Sequence, residues 1–363
     1  LQIQLGIEKV VLFVGEGSWK CLLKYGVEGD VGDITDRDFF NSSSTISLNL
    51  GATGSESFDI VIPVYQDTKP MAYLLVGDVG EDKIRVSPVI KHMNFLQTYT
   101  NLIVVAIQNK KLAEERLVQV RVNKELELAA EMQAILVPRH LPKNERFEVA
   151  AVYKPHQQVG GDYYDLMVLG DSKVMMCMAD VSGKGVSAAF LMANFQAYLR
   201  ALFTYKTMPL AEVIVELNER VMSSAMGEKY ITFFIAIYDE KTRGLEYVNC
   251  GHNPPFLVRK SGSTDMLIKG SIGLGMFEEI PTIEVGLVNV AHEDVLVCYT
   301  DGLVELENEA KEEYSLEKLE HLVRENFTLS MTDLTDLITN DLEAYRGEMP
   351  YIDDTAILSC RFF

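Results

Sequence analysis

The chain has 363 residues, of which 48% are hydrophobic, and its formal net charge at neutral pH is −20. This length suits two domains, each with its own core. The acidity argues against nucleic acid or an anionic membrane surface as partner, because both attract basic patches. The longest aliphatic run, LIVVAI at 102–107, is too short to span a bilayer, so we expect no membrane segment in this chain.

The start of the chain and its cysteines indicate a cytoplasmic protein. The first residue is Leu1 and no signal-peptide pattern follows it, so we expect a fragment of a longer chain. The five cysteines lie far apart without a CxxC pair, and Cys177 and Cys298 fall in apolar runs. We interpret the cysteines as buried thiols in a reducing cytoplasm rather than as disulfides or zinc ligands.

Residues 1–100 show short apolar runs separated by turns. The runs KVVLFVG, WKCLLKYGV, FDIVIPVY and MAYLLVGDV are typical of strands, and the last two flank QDTKP, which indicates a hairpin. Trp19 and the pair Phe39-Phe40 could line a ligand pocket, although we prefer the interpretation that they belong to an apolar core.

The stretch between Pro88 and Pro138 contains neither proline nor glycine, which predicts a long helix. Its heptad pattern has two apolar columns, interrupted by Gln119 and Gln133: Val105, Leu112 and Leu126 in one, and Val122, Ala129 and Leu136 in the other. One interpretation is an amphipathic helix packed on its own domain. We prefer a coiled-coil-like linker over 101–144 that forms a homodimer, because the tract exceeds the usual length of a globular helix.

From residue 145 to the end, many strand-like runs alternate with a few helical ones. The strand-like runs are FEVAAVYK, YYDLMVL, VMMCMAD, YITFFIAIYD, LEYVNC, DVLVCYT and TAILSCRF; the helical ones are SAAFLMANFQAYLRALF, LAEVIVELNERVMSSAM and the tract from Leu316 to Leu342. The turn DEKTRG joins two adjacent strands, which indicates antiparallel pairing. We therefore expect an α+β domain with an antiparallel sheet core covered by helices.

Aspartates recur where these strand-like runs begin or end. They are Asp162 after two glycines, Asp180 after VMMCMA, Asp301 after DVLVCYT, and the pair Asp353-Asp354 before TAILSCRF. Carboxylates at strand ends supply the oxygen ligands that Mg²⁺ and Mn²⁺ prefer, and nearby glycines let a main-chain carbonyl approach. Two such ions can acidify a water that attacks phosphorus in line, without a nucleophilic side chain.

A turn is the competing interpretation of every one of these aspartates. An Asp-Gly pair at a strand end, taken alone, is more typical of a turn than of a ligand, and spacing does not show that the four acids converge. The sequence contains no cluster of histidines that would bind zinc, which favours Mg²⁺ or Mn²⁺. The pattern thus indicates a site for hard divalent cations without naming the enzyme.

Five motifs carry a more specific resemblance. In chain order, VGGDYYDL (159–166), ADVSGKGVSAAFLM (179–192), CGHNPPFL (250–257), YTDGLVE (299–305) and DDTAIL (353–358) resemble the motifs of the SpoIIE/RsbU-like branch of the PPM metal-dependent serine/threonine protein phosphatases. The resemblance covers 145–363 and implies a β-sandwich flanked by helix pairs (αββα), with two or more Mg²⁺ or Mn²⁺ ions at one end.

The same resemblance implies roles for individual residues. It implies that four aspartates are metal ligands and catalytic residues: Asp162, Asp180, Asp301 and Asp353. It also implies that Val181 is a metal ligand through its backbone carbonyl. Asp354 is the weaker choice of the final pair, and Asp165 is expected to be structural. Lys184 screens the substrate phosphate or is a solvated turn residue. His252-Asn253 polarises or shapes the site, or simply belongs to a proline-rich turn; both pairs of alternatives stay open.

The N-terminal residues 1–100 resemble a GAF-like α/β sensor domain, with a PAS domain as the rival and no ligand named. The resemblances together imply a cytoplasmic phosphatase that hydrolyses phosphoserine or phosphothreonine on a protein, expected to be a STAS-domain anti-sigma-factor antagonist. The alternatives are a non-catalytic signalling module with the same fold, which the four intact acids disfavour, and a Mg²⁺-dependent nucleotide cyclase or hydrolase, which the absence of a P-loop disfavours.

Overall fold

The structure is a computed structural model that describes residues 7–15, 19–27, 46–47, 58, 60–66, 69–77, 93–138, 140–170, 172–205 and 208–363. The chain divides into two compact units, Leu1–Arg121 and Val122–Phe363. Among the described residues, no helix combines the length and the apolar character that crossing a bilayer requires.

The first unit contains an antiparallel sheet. Its strands are β1 (Lys9–Gly15), β2 (Trp19–Tyr25), β3 (Ile46–Ser47), β4 (Ile60–Gln66) and β5 (Lys69–Gly77), in the order β2-β1-β5-β4-β3. Antiparallel pairing of β4 with β5 confirms the predicted hairpin, although residues 67–68 of its turn lie outside the described residues. The Trp19 ring lies edge-on to Tyr73 at 4.8 Å and packs on an apolar cluster, while Phe39 and Phe40 also lie outside the description.

A single helix, α1 (Met93–Gln133), occupies most of the stretch without proline or glycine. Along the predicted seam, Val105, Leu112 and Val122 are exposed, whereas Gln133 is buried. Gln133, which belongs to the second unit, bonds to Gly160 of that same unit.

The second unit is built from two antiparallel sheets and flanking helices. Its strands are β6 (Phe147–Lys154), β7 (Tyr163–Leu169), β8 (Lys173–Val181), β9 (Ile231–Asp239), β10 (Gly244–Cys250), β11 (Phe256–Val258), β12 (Thr264–Met266), β13 (Gly270–Ser271), β14 (Gly286–Asn289), β15 (Val295–Tyr299) and β16 (Thr355–Phe362). Its helices are α2 (Val186–Tyr205), α3 (Leu210–Ala225), α4 (Asp301–Val304), α5 (Leu316–Glu325) and α6 (Met331–Arg346).

The sheets stack face to face between two helical layers. One sheet has the order β13-β10-β9-β8-β7, with β14 beside β10, and the other has the order β12-β11-β15-β16-β6. Alternate side chains of both sheets meet in one core that includes Met178, Phe234 and Leu358. Helices α2 and α3 cover the outer face of the first sheet, and α5 and α6 cover that of the second. Burial of each large apolar side chain contributes about 1.5–3 kcal/mol to the stability of the fold. The apolar side chains that define the predicted strands and helices therefore hold the layers together.

Two sequence expectations are wrong in detail. The tract Leu316–Leu342 forms two helices, because the chain turns after Asn326 and Ser330 caps a new helix by accepting a hydrogen bond from the Asp333 backbone N at 3.1 Å. Cys21 is exposed, whereas the other four cysteines are buried thiols, as expected. Cys21 lies on β2, at the edge of the first unit's sheet order, where its side chain is not covered.

Candidate metal and phosphatase site

The four strand-end positions converge at one end of the sandwich. Asp162 precedes β7 and Asp180 lies near the end of β8, which is the partner strand in the same hairpin. Asp301 follows β15, and Asp353 precedes β16, which pairs with β15 so that Tyr299 lies opposite Ile357. The acids of both sheets therefore lie at the same edge of the sandwich. The sequence suggested this arrangement but could not establish it.

Close backbone packing holds the second pair of acids together. A Cβ atom at Gly302 would lie 2.1 Å from the Asp354 carbonyl oxygen, so the start of α4 approaches the 353–354 segment as closely as glycine allows. The Asp301 carboxylate accepts a hydrogen bond from the Gly302 N at 2.7 Å, and Asp353 accepts one from the Asp354 N at 2.8 Å. These contacts orient both side chains toward the same space.

Asp354 has a different task from Asp353. Its Oδ1 accepts a hydrogen bond from the His156 N at 2.7 Å, and its Oδ2 accepts one from the Gly161 N at 2.6 Å. A Cβ at Gly160 would lie 2.2 Å from the same Oδ2, so the double glycine is needed for this approach. Because backbone amides occupy both of its oxygens, Asp354 ties down the loop that carries Asp162, which favours Asp353 as the ligand of the pair.

The acids raise one another's pKa values. Burial, and then the nearby Asp180 carboxylate, raise the pKa of Asp162 well above its usual value. Burial, followed by the charges of Asp301 and Asp353, raises the pKa of Asp180 to about 7. Burial also raises the pKa of Asp301. These mutual effects require the side chains to lie within electrostatic reach of each other in a poorly solvated space.

Lys184 is the cation that contacts this cluster in the described part of the chain. Its ammonium lies 2.7 Å from Asp353 Oδ2 and donates to the Ile352 carbonyl at 2.5 Å. The loop that carries it, 182–185, follows Val181 directly, and both Gly183 and Gly185 adopt positive φ angles. Lys184 is thus not simply a solvated turn residue, since its side chain reaches across to the last acid of the site.

The donor set fits hard divalent cations. Oδ2 of Asp162 is buried and lacks a hydrogen-bond partner within the described structure, which leaves a carboxyl oxygen that a cation would satisfy. Every candidate donor is an oxygen, including the Val181 carbonyl, which lies 3.0 Å from where a Gly161 Cβ would be. No group of three His, Cys, Asp or Glu side chains in the described ranges is already arranged to enclose an ion. The residues present therefore match the chemistry of Mg²⁺ or Mn²⁺, and ion binding would draw the carboxylates closer.

The stability of metal-free protein should depend on pH through these acids. The pKa of Asp180 is about 7 in the folded protein, whereas its ordinary value, which applies to the unfolded chain, is 3.8. Between these two pH values the native state therefore binds more protons than the unfolded state. Stability is therefore expected to fall as the pH rises from about 4 to about 7. Thermal unfolding of EDTA-treated protein at pH 5.5 and pH 8 measures this, and Mn²⁺ should raise the Tm more at pH 8, where no protons compete.

The Asp180→Asn variant is the control for that experiment, because it removes this titration while leaving the remaining acidic surface unchanged. Its Tm should vary less with pH than that of the parent chain. Equal pH profiles for the two proteins would contradict the assignment of the pH dependence to the cluster.

Asp165, close to Asp162 in the sequence, is structural. Its side chain is 0% exposed and accepts hydrogen bonds from the Tyr163 hydroxyl at 2.5 Å and from the Leu166 N at 2.8 Å. The Arg200 guanidinium adds two bonds, from Nε at 2.6 Å and from Nη2 at 2.7 Å. This fork joins α2 to β7, as the expectation of a structural role required.

His252 belongs to a shaped turn beside the site. The Asn249 carboxamide bonds to both the N and the O of His252, at 2.8 and 3.0 Å, which fixes the turn before the two prolines. The His252 Nδ1 lies 3.0 Å from the Thr232 hydroxyl, and Thr232 is the β9 partner of Asp180. Burial lowers the pKa of His252 to about 4, so the ring is neutral at physiological pH. His252 thus acts through shape and not through charge.

Two further residues around the site escaped sequence analysis. Gln133, which interrupts the helical seam, donates from Nε2 to the Gly160 carbonyl at 2.6 Å and accepts from the Gly160 N at 3.1 Å. Lys229 donates to the Ser182 carbonyl at 2.8 Å. The only signal for Gln133 was a polar residue at an apolar heptad position, and Lys229 carried no signal, because its partner lies 47 residues away.

Comparisons with known proteins identify relatives of this chain. Protein IcfG of Synechocystis sp. is 26% identical over 262 residues, covering 65% of this chain and 41% of its own. Phosphoserine phosphatase RsbU of Bacillus subtilis is 29% identical over 211 residues, covering 56% of this chain and 62% of its own. The chain therefore spans about half the length of these relatives.

A solved structure shares the fold. The SiaA-PP2C domain of Pseudomonas aeruginosa superimposes with a TM-score of 0.60 at 20% identity, over 68% of this chain and 99% of that domain. The profile of stage II sporulation protein E (SpoIIE) matches residues 170–363, which is more than half of the chain. With the acids of two sheets gathered at one edge of a PP2C-like sandwich, the chain belongs to the SpoIIE family.

Proposed function

We propose that this protein is a metal-dependent protein serine/threonine phosphatase that hydrolyses phosphoserine or phosphothreonine. The observation that carries the proposal is that Asp162, Asp180, Asp301 and Asp353 lie within electrostatic reach of one another at one edge of the sandwich. Among them, the buried Oδ2 of Asp162 has no hydrogen-bond partner in the described structure. The names of the relatives RsbU and RsbP, both phosphoserine phosphatases, support the same chemistry. Two or more Mg²⁺ or Mn²⁺ ions, when bound, would acidify a water and offset the charge on the phosphoryl group.

The chain's own residues hold and orient the reacting groups. The four carboxylates and the Val181 carbonyl would hold the cations, and Asp354 keeps the Gly160-Gly161 loop in place. Lys184 places one ammonium beside Asp353, where it can attract a phosphate into an otherwise acidic site. Burial lowers the pKa of His252 to about 4 and so makes its ring a weak base, and a metal-activated water needs no side-chain nucleophile, so we assign no side chain as an obligatory general base.

A direct assay tests the proposal. We expect Mn²⁺- or Mg²⁺-dependent release of phosphate from p-nitrophenyl phosphate and from a phosphoserine peptide, lost on addition of EDTA. The rival function, a non-catalytic signalling module with the same fold, predicts no turnover with either substrate under any metal. A nucleotide cyclase or hydrolase would instead consume ATP or GTP, which the same phosphate and product analysis detects.

Regulation by the N-terminal unit is part of the proposal. Signals from a GAF-like sensor would rotate or reorder the helix around residues 125–140 and so change how well the metal site assembles. Support comes from Gln133, which lies in the last turn of α1 and bonds to both polar backbone groups of Gly160. No ligand of the sensor follows from its sequence.

Replacing Gln133 tests this link. In the full chain, Gln133→Ala should weaken Mn²⁺ binding and lower turnover about tenfold, as loss of an outer-shell partner does. Isothermal titration of metal-free protein gives the affinity separately from activity. Gln119→Ala, at the other interrupted seam position of the same helix, is the matched control. Equal metal affinities for the two variants would refute a role for Gln133 in site assembly.

Homodimerisation through α1 is also proposed. The exposed seam residues Val105, Leu112 and Val122 leave apolar surface that a second copy could cover. Light scattering on the full chain should give twice the monomer mass, and Leu112→Glu should return it to the monomer.

The physiological substrate is proposed, on family resemblance, to be a phosphorylated STAS-domain anti-sigma-factor antagonist, and loss of phosphate from such a protein would test it.

A further inference from the structure

An apolar patch lies where helices α2 and α3 approach the loop 182–185. Four of its side chains are unusually exposed for their type: Val186 at 58%, Phe190 at 77%, Met226 at 87% and Tyr230 at 40%. Between the two helices is a small cavity of about 260 Å³, the Phe190 pocket, lined among others by Phe190, Leu191, Asn194, Ala225, Met226 and Lys229. Exposed apolar groups that surround a cavity mark interaction sites more often than isolated ones do.

The Phe190 pocket is continuous with the candidate site through a single loop. Lys229, in the pocket wall, donates to the Ser182 carbonyl at 2.8 Å. Ser182 is also bonded to Tyr230 twice, from its own N to the Tyr230 carbonyl at 2.9 Å and from the Tyr230 N to its hydroxyl at 2.9 Å. Two residues further on, Lys184 reaches Asp353 at 2.7 Å. One side of this loop thus faces the pocket and the other faces the carboxylates.

The charges along this route suit a phosphorylated ligand. The chain carries a net charge of −20, and the cluster itself is acidic, so a phosphate group is repelled by most of this surface. Lys184 lies on the 182–185 loop beside Asp353, and Lys229 lies in the pocket wall next to the acidic Glu228 and bonds to the Ser182 carbonyl. A phosphoryl group on its way to the carboxylates would therefore pass the basic groups nearest to the pocket.

The size of the pocket indicates what part of a partner enters it. A cavity of about 260 Å³ accommodates one or two side chains and is too small for a helix or a cofactor. Phenylalanine and methionine are side chains that interfaces use as anchors, and methionine adapts to different shapes.

We propose that the Phe190 pocket is the docking site for the phosphoprotein substrate, which inserts an apolar side chain that flanks its phosphorylated residue. This inference rests on the proposed phosphatase function and adds to it a substrate preference: an apolar residue close to the phosphoserine. The pocket anchors the substrate, and the loop with Lys184 and Lys229 guides the phosphate to the carboxylates.

Phosphoserine peptides and a matched pair of variants test the inference in the full chain. The peptides carry a single leucine at successive positions within four residues of the phosphoserine, on an alanine background. At one or more positions, leucine should raise kcat/KM about tenfold over the alanine peptide, as burial of one apolar side chain allows. Phe190→Ala should remove this preference through KM, so that the leucine and alanine peptides then give equal kcat/KM.

Tyr205→Ala is the matched control. Tyr205 is an aromatic residue, 85% exposed, at the opposite end of the same helix, so its replacement should leave the leucine preference intact. Met226→Ser, on the other wall of the pocket, should repeat the effect of Phe190→Ala and guards against a fold defect confined to one variant.

The outcomes separate this inference from the proposed function. If the parent chain hydrolyses neither p-nitrophenyl phosphate nor any peptide, the phosphatase proposal itself fails. If it hydrolyses all peptides equally, or if the Phe190 and Tyr205 variants behave alike, the docking site is wrong and the phosphatase stands. A change of molar mass in light scattering on Phe190→Glu would assign the patch to self-association and would also overturn the inference.

Discussion

Replacing Asp180 by asparagine is expected to lower phosphatase turnover by at least about 1000-fold, which corresponds to about 4 kcal/mol of transition-state stabilisation. Asparagine keeps the size and one oxygen of the side chain but removes the negative charge. The Asp180 carboxylate interacts with Asp301, Asp353 and Asp354, so it occupies the centre of the charged cluster. Loss of this charge weakens the attraction for divalent cations where it is greatest.

Asp301→Asn should have an effect of similar size, because Asp301 faces the same space from the opposite sheet. The matched control is Asp239→Asn. Asp239 lies at the far end of β9, where it pairs with Lys173 on β8, so it shares the strand pair of Asp180 but not the site. Initial rates with p-nitrophenyl phosphate over a range of Mn²⁺ concentrations provide the measurement. Full activity in both site variants would refute the assignment of the metal site.

Asp165→Ala is expected to destabilise the second unit by about 2–3 kcal/mol, the cost of leaving buried hydrogen-bonding groups without their partner, because the Arg200 side chain is 42% exposed and can still be solvated. The substitution leaves the Arg200 guanidinium and the Tyr163 hydroxyl without their acceptor. It also removes the fork that fastens α2 to β7. For a unit of this size, the Tm should fall by roughly 5–10 °C. Differential scanning calorimetry with saturating and with no Mn²⁺ gives the change in both states.

A double-mutant cycle separates the ion pair from other effects. Arg200→Met keeps the apolar stem of the side chain and removes the charge, and the Asp165→Ala, Arg200→Met double variant should be less destabilised than the sum of the single variants. Below its Tm, Asp165→Ala should still bind Mn²⁺, since Asp165 points away from the carboxylate cluster into its own hydrogen bonds. Loss of metal binding at full stability would instead place Asp165 among the ligands.

Much of the second unit follows from local pattern. The run TAILSCRF forms β16 with the predicted bounds, and DEKTRG connects β9 to β10 in antiparallel register from Asp239 opposite Gly244. These elements were predictable because alternation of apolar side chains and turn-forming residues are properties of adjacent positions. The acids at strand ends were visible for the same reason, since each stands beside its own strand.

The partners of those acids were not visible. In the sequence, Gln133 is a polar residue that interrupts an apolar heptad column. In the structure, its side-chain amide donates a hydrogen bond to the backbone carbonyl of Gly160, 27 residues away. The tract Leu316–Leu342 looked continuous, but Ser330 caps a second helix, α6, which packs on the sheet that contains β15 and β16. Such pairings depend on which elements meet in space, and that is decided by packing over the whole unit.

The sequence by itself determined where strands and helices form and which residues carry charge at their ends, because these features depend on near neighbours along the chain. The tertiary structure alone decided that Asp162 and Asp180 from one sheet face Asp301 and Asp353 from the other. It also decided that Asp354 and Asp165 are occupied by backbone and arginine donors. Convergence of charges is a long-range property, since it costs electrostatic repulsion that only the packing of two sheets can offset.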